Sequence, residues 1–506
     1  MALVTLVNPN LMVQSRDRFT TGVVYMPIGL AYVASALREA GLEPQVIDAF
    51  AAAPRQARLE QGFLVLGLRP EEVIGELGVE SRVLCIYANQ VINHLSVVAL
   101  IRACKRARPE LAVVILENTQ AVTAYSLQRV ASDLFAEGAD YLLSGEAERR
   151  VPLLVRGLVR GDSPASLCAS LEGVCHRDHP TPVRPPAPIG ALDTLPFPAW
   201  DLFPLENYWG LGFAHGPLSG KRYLPLLTSR GCPFACGFCV IPATNDRRWR
   251  GRSGENVVAE MAAMQARFGV DEFHIEDVNP TVSAARTREL CRAILDRRLR
   301  VTWKLVSGTK VETIRDEETV ALMAEAGCRY ISISPESGSE AVLEAMGKSF
   351  KREHAERIVK AMRDCGIRSQ ACFVLGYPGE GEADRDATRA LLRRLTFLGV
   401  DEVALFIITP VPGAAIFDHF RGYASLSDLN FTPSWRQDYA TLVRFRLKLY
   451  ALFLWWKWLR YPGRVLWQGL NFLRRRFETK MEMIPYRAWV YARLERQARN
   501  GVTKGG

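Results

Sequence analysis

Over residues 1–145, short apolar runs alternate with longer helix-like stretches. An apolar run at Leu3–Val7 stops at Asn8-Pro-Asn10, and a helix-like run from Ile28 to Ala40 stops at Gly41. Further strands are predicted at Pro44–Ile47, ending at Asp48, and at Val83–Tyr87, Val113–Leu116 and Tyr141–Leu143, separated by helical stretches such as Val97–Arg106. Strands alternating with helices imply a parallel sheet covered on both faces, with its ligand crevice at the carboxyl ends of the strands. Asn8, Asp48, Asn89, Glu117 and Gly145 then share one rim.

The pattern dissolves between about 160 and 200, where Pro180-Thr-Pro182 and Pro185-Pro186 read as a linker. A second strand–helix series follows, with strands near Leu224–Thr228, Glu272–Ile275, Thr302–Leu305, Tyr330–Ser334, Gln370–Leu375 and Glu402–Ile408. Six such units match a partial barrel, whose functional groups gather at the strand ends. The chain is therefore expected to be α/β: a doubly wound parallel sheet at 1–155, a Pro-rich linker at 156–200, a partial (βα)6 barrel at 201–420 and a helical tail at 421–506.

Composition changes this picture in two places. With 506 residues, 48% of them apolar, the chain can bury several cores. The formal charge of +10 would suggest nucleic-acid binding, but residues 421–506 hold seventeen Lys/Arg against five Asp/Glu, so the rest of the chain is slightly acidic. No nucleic-acid partner is expected. The first residues lack the basic and apolar segments of a secretory signal, and eleven scattered cysteines suit reduced thiols, so a cytoplasmic setting is expected.

The cysteines cluster in one place, Thr228-Ser-Arg-Gly-Cys232-Pro-Phe-Ala-Cys236-Gly-Phe-Cys239, directly after an apolar strand. A short loop can wrap three sulfurs around one corner of an iron–sulfur cube and leave the fourth iron open. Gly231 and Gly237 would let the backbone bend closely around it. A structural zinc site would need a fourth ligand, and no His or Cys follows within twenty residues of Cys239. Three incidental buried thiols are the remaining alternative.

CxxxCxxC after the first barrel strand resembles the signature of the radical S-adenosylmethionine (SAM) superfamily, and the likeness covers roughly residues 195–420. It implies that Cys232, Cys236 and Cys239 hold a [4Fe-4S] cluster, and that Phe238 lies near the SAM adenine. Glu276 and Asp277, at the end of the second strand, would meet the SAM amino end. Glu336 and Ser337 would reach its ribose and carboxylate, and Gly376 and Glu380 its adenine.

The doubly wound domain ahead of the barrel is similar to the cobalamin-binding branch of that superfamily, its class B methyltransferases. Asn8-Pro9, Pro27-Ile-Gly29, Val46-Ile-Asp48 and Ser144-Gly145-Glu146 carry the likeness, so Asn8, Pro27, Asp48, Asn89, Gln90, Gly145 and Glu146 are implied cobalamin neighbours. The chain departs where relatives carry Gly-Gly: here Leu116-Glu117-Asn118-Thr119-Gln120 would crowd the nucleotide tail. No Asp-x-His-x-x-Gly motif marks a histidine below the cobalt, although His94 lies near the rim.

The resemblance implies two uses of SAM: one molecule methylates reduced cobalamin, and a second yields a radical that takes hydrogen from an unactivated carbon, which then receives the methyl group. It implies a small-molecule or lipid-like substrate and a reducing donor such as flavodoxin or ferredoxin. A cyclase or rearrangement enzyme without methyl transfer, and a non-catalytic cobalamin and iron–sulfur protein, are the competing readings. Arg230, Arg247, Arg248 and Arg250 flank the thiol loop and could meet an anionic substrate or the donor.

The tail holds six of the ten tryptophans: Trp435, Trp455, Trp456, Trp458, Trp467 and Trp489. Its longest charge-free piece, Leu449–Trp456, has eight residues. That is far short of the roughly 20 that cross a bilayer. Two readings stand side by side, peripheral contact with an anionic membrane and packing across the barrel mouth.

Overall fold

Two six-stranded sheets organise the computed structural model, which describes residues 3–502. In the first, the strand order is Gln45–Asp48, Val4–Asn8, Val83–Ala88, Ala112–Glu117, Tyr141–Leu143 and Val174–His176, parallel except for the last pair. Alternate residues feed opposite cores, as the two-residue period of a strand requires. Leu6, Cys85 and Val114 pack with the helix Ile28–Glu39, and Val7, Ile86 and Ile115 with the helix His94–Ala107.

Two elements were not anticipated. Leu11–Gln14, Phe63–Leu66 and Ala57–Glu60 form a small antiparallel sheet, whose hairpin turns at Gln61-Gly62 with both residues at positive φ. The stretch expected to be linker from 156 begins with ordered structure, the helices Val151–Arg160 and Pro164–Ser170 and the edge strand Val174–His176. Buried Leu167, Cys168, Val174 and Cys175 explain the order, which Pro-rich sequence after them had masked.

The second sheet runs Tyr223–Leu226, Glu272–Ile275, Thr302–Thr309, Cys328–Glu336, Arg368–Leu375 and Glu402–Ile407, all parallel and in chain order, which is an open partial barrel. The tail forms three helices, Tyr439–Arg460, Pro462–Arg474 and Lys480–Val502. They cover the open side: Leu405 N donates to Tyr450 Oη (3.2 Å), and Met481 N donates to Glu402 Oε2 (2.7 Å). The last helix also reaches the first domain, where Tyr491 Oη donates to Gly22 O (2.7 Å) and Arg487 to Phe19 O (2.8 Å).

The two rims of strand ends face each other, and a buried ionic network fixes their register. Ser229–Arg230 pairs antiparallel with Arg250–Gly251, placing two guanidinium groups side by side. Arg250 grips Glu146 with both terminal nitrogens (2.8 Å each), and Arg230 reaches Glu148 (2.6 Å). All four side chains are buried. Burial alone would push the Glu146 carboxyl up, but Arg230 and Arg250 hold it below the usual carboxylate range.

Glu146→Gln should therefore cost about 3–5 kcal/mol at neutral pH, because it strands buried arginine charge. A carboxyl depressed in the folded state contributes its stability above the unfolded-state value and loses it as pH falls. The gap between parent and variant, read by urea denaturation, should narrow as pH drops through the ordinary carboxylate range.

Candidate active site

A cavity of about 840 Å³ lies between the two rims. That volume is near the top of the range for small-molecule and cofactor sites, ~300–1,000 Å³. Cys232, Cys236 and Cys239 line one part of it, together with Phe238, Glu276 and Glu336 from the barrel. Pro27, Tyr87, Asn89, Gln90, Asn118 and Gln120 line it from the first domain. The cavity thus joins the two strand-end rims that periodicity placed on separate domains.

The thiol loop is held closely. Gly231 adopts φ +78°, and a Cβ there would sit 2.1 Å from Arg248 O, so only glycine fits. Gly237 donates its N–H to Met346 O (2.9 Å), and its carbonyl accepts from Ile416 N (3.1 Å), anchoring the loop's middle to the barrel. Burial pushes all three thiols up, Cys239 to about 12. Thiolates there need compensating positive charge, which iron supplies. Among the described residues no three His, Cys, Asp or Glu side chains form a group suited to a single metal ion. The three thiols all line the cavity. The other eight cysteines are unpaired, and seven of them are buried.

Glu336 enters the cavity at φ +64°, a conformation costly for a non-glycine residue and typical of functional positions. Its carboxylate meets Lys348 Nζ at 2.6 Å, with both side chains buried. Lys310 also lines the space, its ammonium 5.0 Å from the centre of the Phe234 ring. Glu276 pairs with His215 Nδ1 at 2.6 Å, and Tyr25 packs on that imidazole at 4.3 Å. Lys310 follows the strand Thr302–Thr309, which runs four residues past its expected end at Leu305; Lys348, His215 and Tyr25 lie in loops that carry no sequence signal.

Several expected site residues brace the site without lining it. Asp277 accepts from Thr228 N (2.7 Å), Thr228 Oγ1 (2.6 Å) and Ser229 Oγ (2.6 Å), fastening the first barrel strand to the second. Ser337 is turned to Thr388 (3.2 Å). Glu380 accepts from Gly376 N (2.7 Å), and Arg436 donates to Gly376 O (2.9 Å), so this pair borders a smaller depression beneath the tail. Burial raises the Glu380 carboxyl to about 7. Asn8 donates to Asp48 (2.9 Å) and accepts from Asn89 (2.9 Å), a polar layer under the rim in which Asn89 alone reaches the cavity. Glu146 is held by Arg250, which with Arg230 is thereby withdrawn from any anionic ligand.

The Glu117 departure also resolves. Its carboxylate accepts from Leu127 N (2.8 Å) and Gly145 N (2.5 Å), and burial raises it to about 7. Folded back in this way it stays out of the cavity, and Asn118 and Gln120 are the side chains that stand in it. Gln120 Oε1 and Thr123 Oγ1, both at the cavity, are buried without a hydrogen-bond partner. His94 lies behind the wall, its Nδ1 3.2 Å from Tyr125 Oη, and burial lowers it to about 4.

The match to the family model described as the radical SAM superfamily spans residues 226–392, from the first barrel strand into the helix after the fifth. An uncharacterized methyltransferase of Pyrococcus horikoshii is 29% identical over 306 residues, covering 60% of this chain and 61% of that protein. The cytidylyl-2-hydroxyethylphosphonate methyltransferase of Streptomyces wedmorensis is 28% identical over 429 residues, 77% of each chain. Among solved structures, the radical SAM methyltransferase TsrM of Kitasatospora setae shares the fold at a TM-score of 0.60 and 19% identity, over 82% of this chain and 77% of that one. With its thiol loop at the mouth of a six-stranded partial barrel, the segment 226–392 is a radical SAM domain.

Proposed function

We propose that the protein is a cobalamin-dependent radical SAM methyltransferase that methylates an unactivated carbon of a small-molecule or lipid-like substrate. The observation that carries this reading is the single cavity shared by the thiol loop and the rim of the first sheet. TsrM, similar in fold, was solved with cobalamin and a [4Fe-4S] cluster bound. When bound, the cluster and SAM supply a radical that abstracts hydrogen, and cobalamin supplies the methyl group.

The chain's own residues position and shield. Cys232, Cys236 and Cys239 would hold the cluster on the barrel side. Glu336 with Lys348 and Glu276 with His215 present fixed charge to the zwitterionic end of SAM, and Phe238 offers an apolar face beside Tyr377 and Ile416. On the opposite wall, Asn89, Asn118, Gln120 and Thr123 offer amide and hydroxyl groups, and the two unpartnered oxygens among them fit the amide-bearing edge of a corrin. Tail residues Met483, Ile484 and Pro485 close the cavity with apolar surface and keep water from the reacting carbon. Arg247 and Arg248, exposed beside the thiol loop, suit an acidic reducing donor such as flavodoxin or ferredoxin in the cytoplasm.

Replacing Cys232, Cys236 and Cys239 by Ala should abolish iron–sulfur absorbance and all cleavage of SAM after anaerobic reconstitution. A redox-active cluster surviving in that variant would overturn the reading. Product analysis of the parent should give both S-adenosylhomocysteine and deoxyadenosine; deoxyadenosine alone would indicate rearrangement without methyl transfer.

With His94 behind the wall, reduced cobalamin bound to the protein should lack an imidazole nitrogen on cobalt. Electron paramagnetic resonance of the Co(II) state reads this directly, and nitrogen hyperfine splitting from a protein histidine would contradict it.

A further inference from the structure

In the C-terminal helices large apolar side chains face outward as well as inward. A helix packed on a protein core turns its apolar stripe inward and its charges outward. Along Tyr439–Arg460 the inward face holds Leu442, Leu449 and Phe453 together with Arg446 and Lys457, all buried, and Lys457 donates to Gln468 Oε1 (2.7 Å). The outward face carries Leu447, Ala451, Leu454 and Trp458, an i, i+4, i+7, i+11 stripe on one side of the helix. All four are exposed, Leu447 by 60% and Leu454 by 45%.

The helix Pro462–Arg474 shows the outward apolar face more strongly. Its one fully buried residue is Asn471, whereas Leu466, Trp467, Phe472 and Leu473 are exposed, Leu473 by 76%. Folding alone gives no reason for this arrangement, since each exposed large apolar side chain forgoes about 1.5–3 kcal/mol of burial. Arg474, Arg475 and Arg476 follow directly and are exposed. Indole and aliphatic groups rimmed by arginine match the headgroup zone of an anionic bilayer, where aromatic rings lie at the interface and guanidinium groups meet phosphate. No helix among the described residues is long and apolar enough to cross a membrane.

The stripe is continuous with the cavity. Leu447 and Leu454 are at once exposed and part of the cavity wall, as is Phe19 across from them. The cavity mouth therefore opens between Phe19 and the outward stripe, at the start of the same apolar face. Deeper in, Met483, Ile484 and Leu405 continue an apolar path toward the barrel.

From this we propose that the helices Tyr439–Arg460 and Pro462–Arg474 dock the protein on an anionic phospholipid surface, with the cavity mouth turned to the bilayer so that a substrate bearing an acyl or similar apolar chain enters from the membrane. The substrate class rests on the methyltransferase reading above; the docking itself does not.

The test uses full-length protein with vesicles of phosphatidylglycerol and phosphatidylcholine, or of phosphatidylcholine alone, in co-sedimentation at low and high salt. Partition onto the anionic vesicles should be on the order of 100-fold stronger, and salt should weaken it. Leu466→Glu with Leu473→Glu replaces two exposed side chains and should leave melting temperature and cluster absorbance unchanged while partition falls at least about tenfold. Acyl-brominated lipid should quench tryptophan fluorescence in the parent and quench it less in Trp458→Phe, which reports the mouth facing the lipid. Protein that stays in the supernatant at low salt overturns the proposal, as does unchanged partition of the double variant. A dimer in sedimentation velocity that dissociates in the double variant, without vesicle binding by the parent, would show that a second copy covers this face and would also overturn it. Cobalamin and cluster loading are read from spectra without vesicles, so failure of the methyltransferase reading is distinguishable from failure of docking.

Discussion

The bidentate pair between Arg250 and Glu146, with Arg230 and Glu148 beside it, is the interaction on which the site depends. Each sheet by itself makes a rim of strand ends, and neither rim is a closed cavity. The ionic network takes charge from the hairpin flanking the thiol loop and seats it in the Ser144–Glu148 turn that ends the first domain. Burial makes it costly to form and costlier to break on one side, so it specifies a single register more than it adds stability. Because Arg230 lies two residues before Cys232, the contact that orients the domains also orients the first thiol against the opposite wall.

Charge inside the cavity follows the same logic of fixed partners. Glu336 stands in a left-handed conformation that its own side chain disfavours, held there by Lys348 and by the parallel pairing of its strand with Arg368–Leu375. Glu276 is likewise fixed by His215. Side chains already paired have little freedom left to lose, and at Glu336 the strand pairing and Lys348 hold a backbone that would otherwise relax. The carboxyls that sequence placed beside them are used differently. Asp277 and Glu380 accept backbone N–H groups and set the strand ends at their spacing.

Strand positions were legible to within a residue or two at most ends, since each is a dense apolar run stopped by Asn, Asp or Gly. The thiol loop was legible for the same reason: chemistry, spacing and position after a strand coincide in one short segment. Direction was not legible. A residue at a strand end can face the cavity, as Asn89 does, or lie beneath it, as Asn8 and Asp48 do, and that depends on loop geometry with no period to read. The Glu117 departure illustrates this: its residue type suggested crowding, whereas its backbone partners at Leu127 and Gly145 fold it out of the way. The hairpin at Gln61-Gly62 escaped because one of its strands, Ala57–Glu60, mixes apolar with charged residues and is not buried.

The two sequence readings of the tail are not exclusive in the structure. Packing across the barrel is seen in Tyr450, Met481 and Lys480, whose ammonium donates to Val306 O at 2.9 Å. A tail selected for packing alone would turn Leu454, Trp455 and Leu473 inward and leave Arg446 and Lys457 in water. Instead Leu442, Leu449 and Phe453 are buried beside Arg446 and Lys457, while Leu454, Trp455 and Leu473 face outward. Of the buried charges, Arg446 pairs with Asp17 at 3.4 Å and Lys457 donates to Gln468 Oε1 at 2.7 Å. The same helices therefore carry two surfaces, one of mixed apolar and charged groups keyed to the barrel and the first domain, and an exposed apolar one that begins at the cavity mouth. Leu447 and Leu454, exposed and also lining the cavity, set its mouth beside this outward apolar surface, so an apolar group at the mouth would lose less contact with water-excluding surface than one at a polar rim.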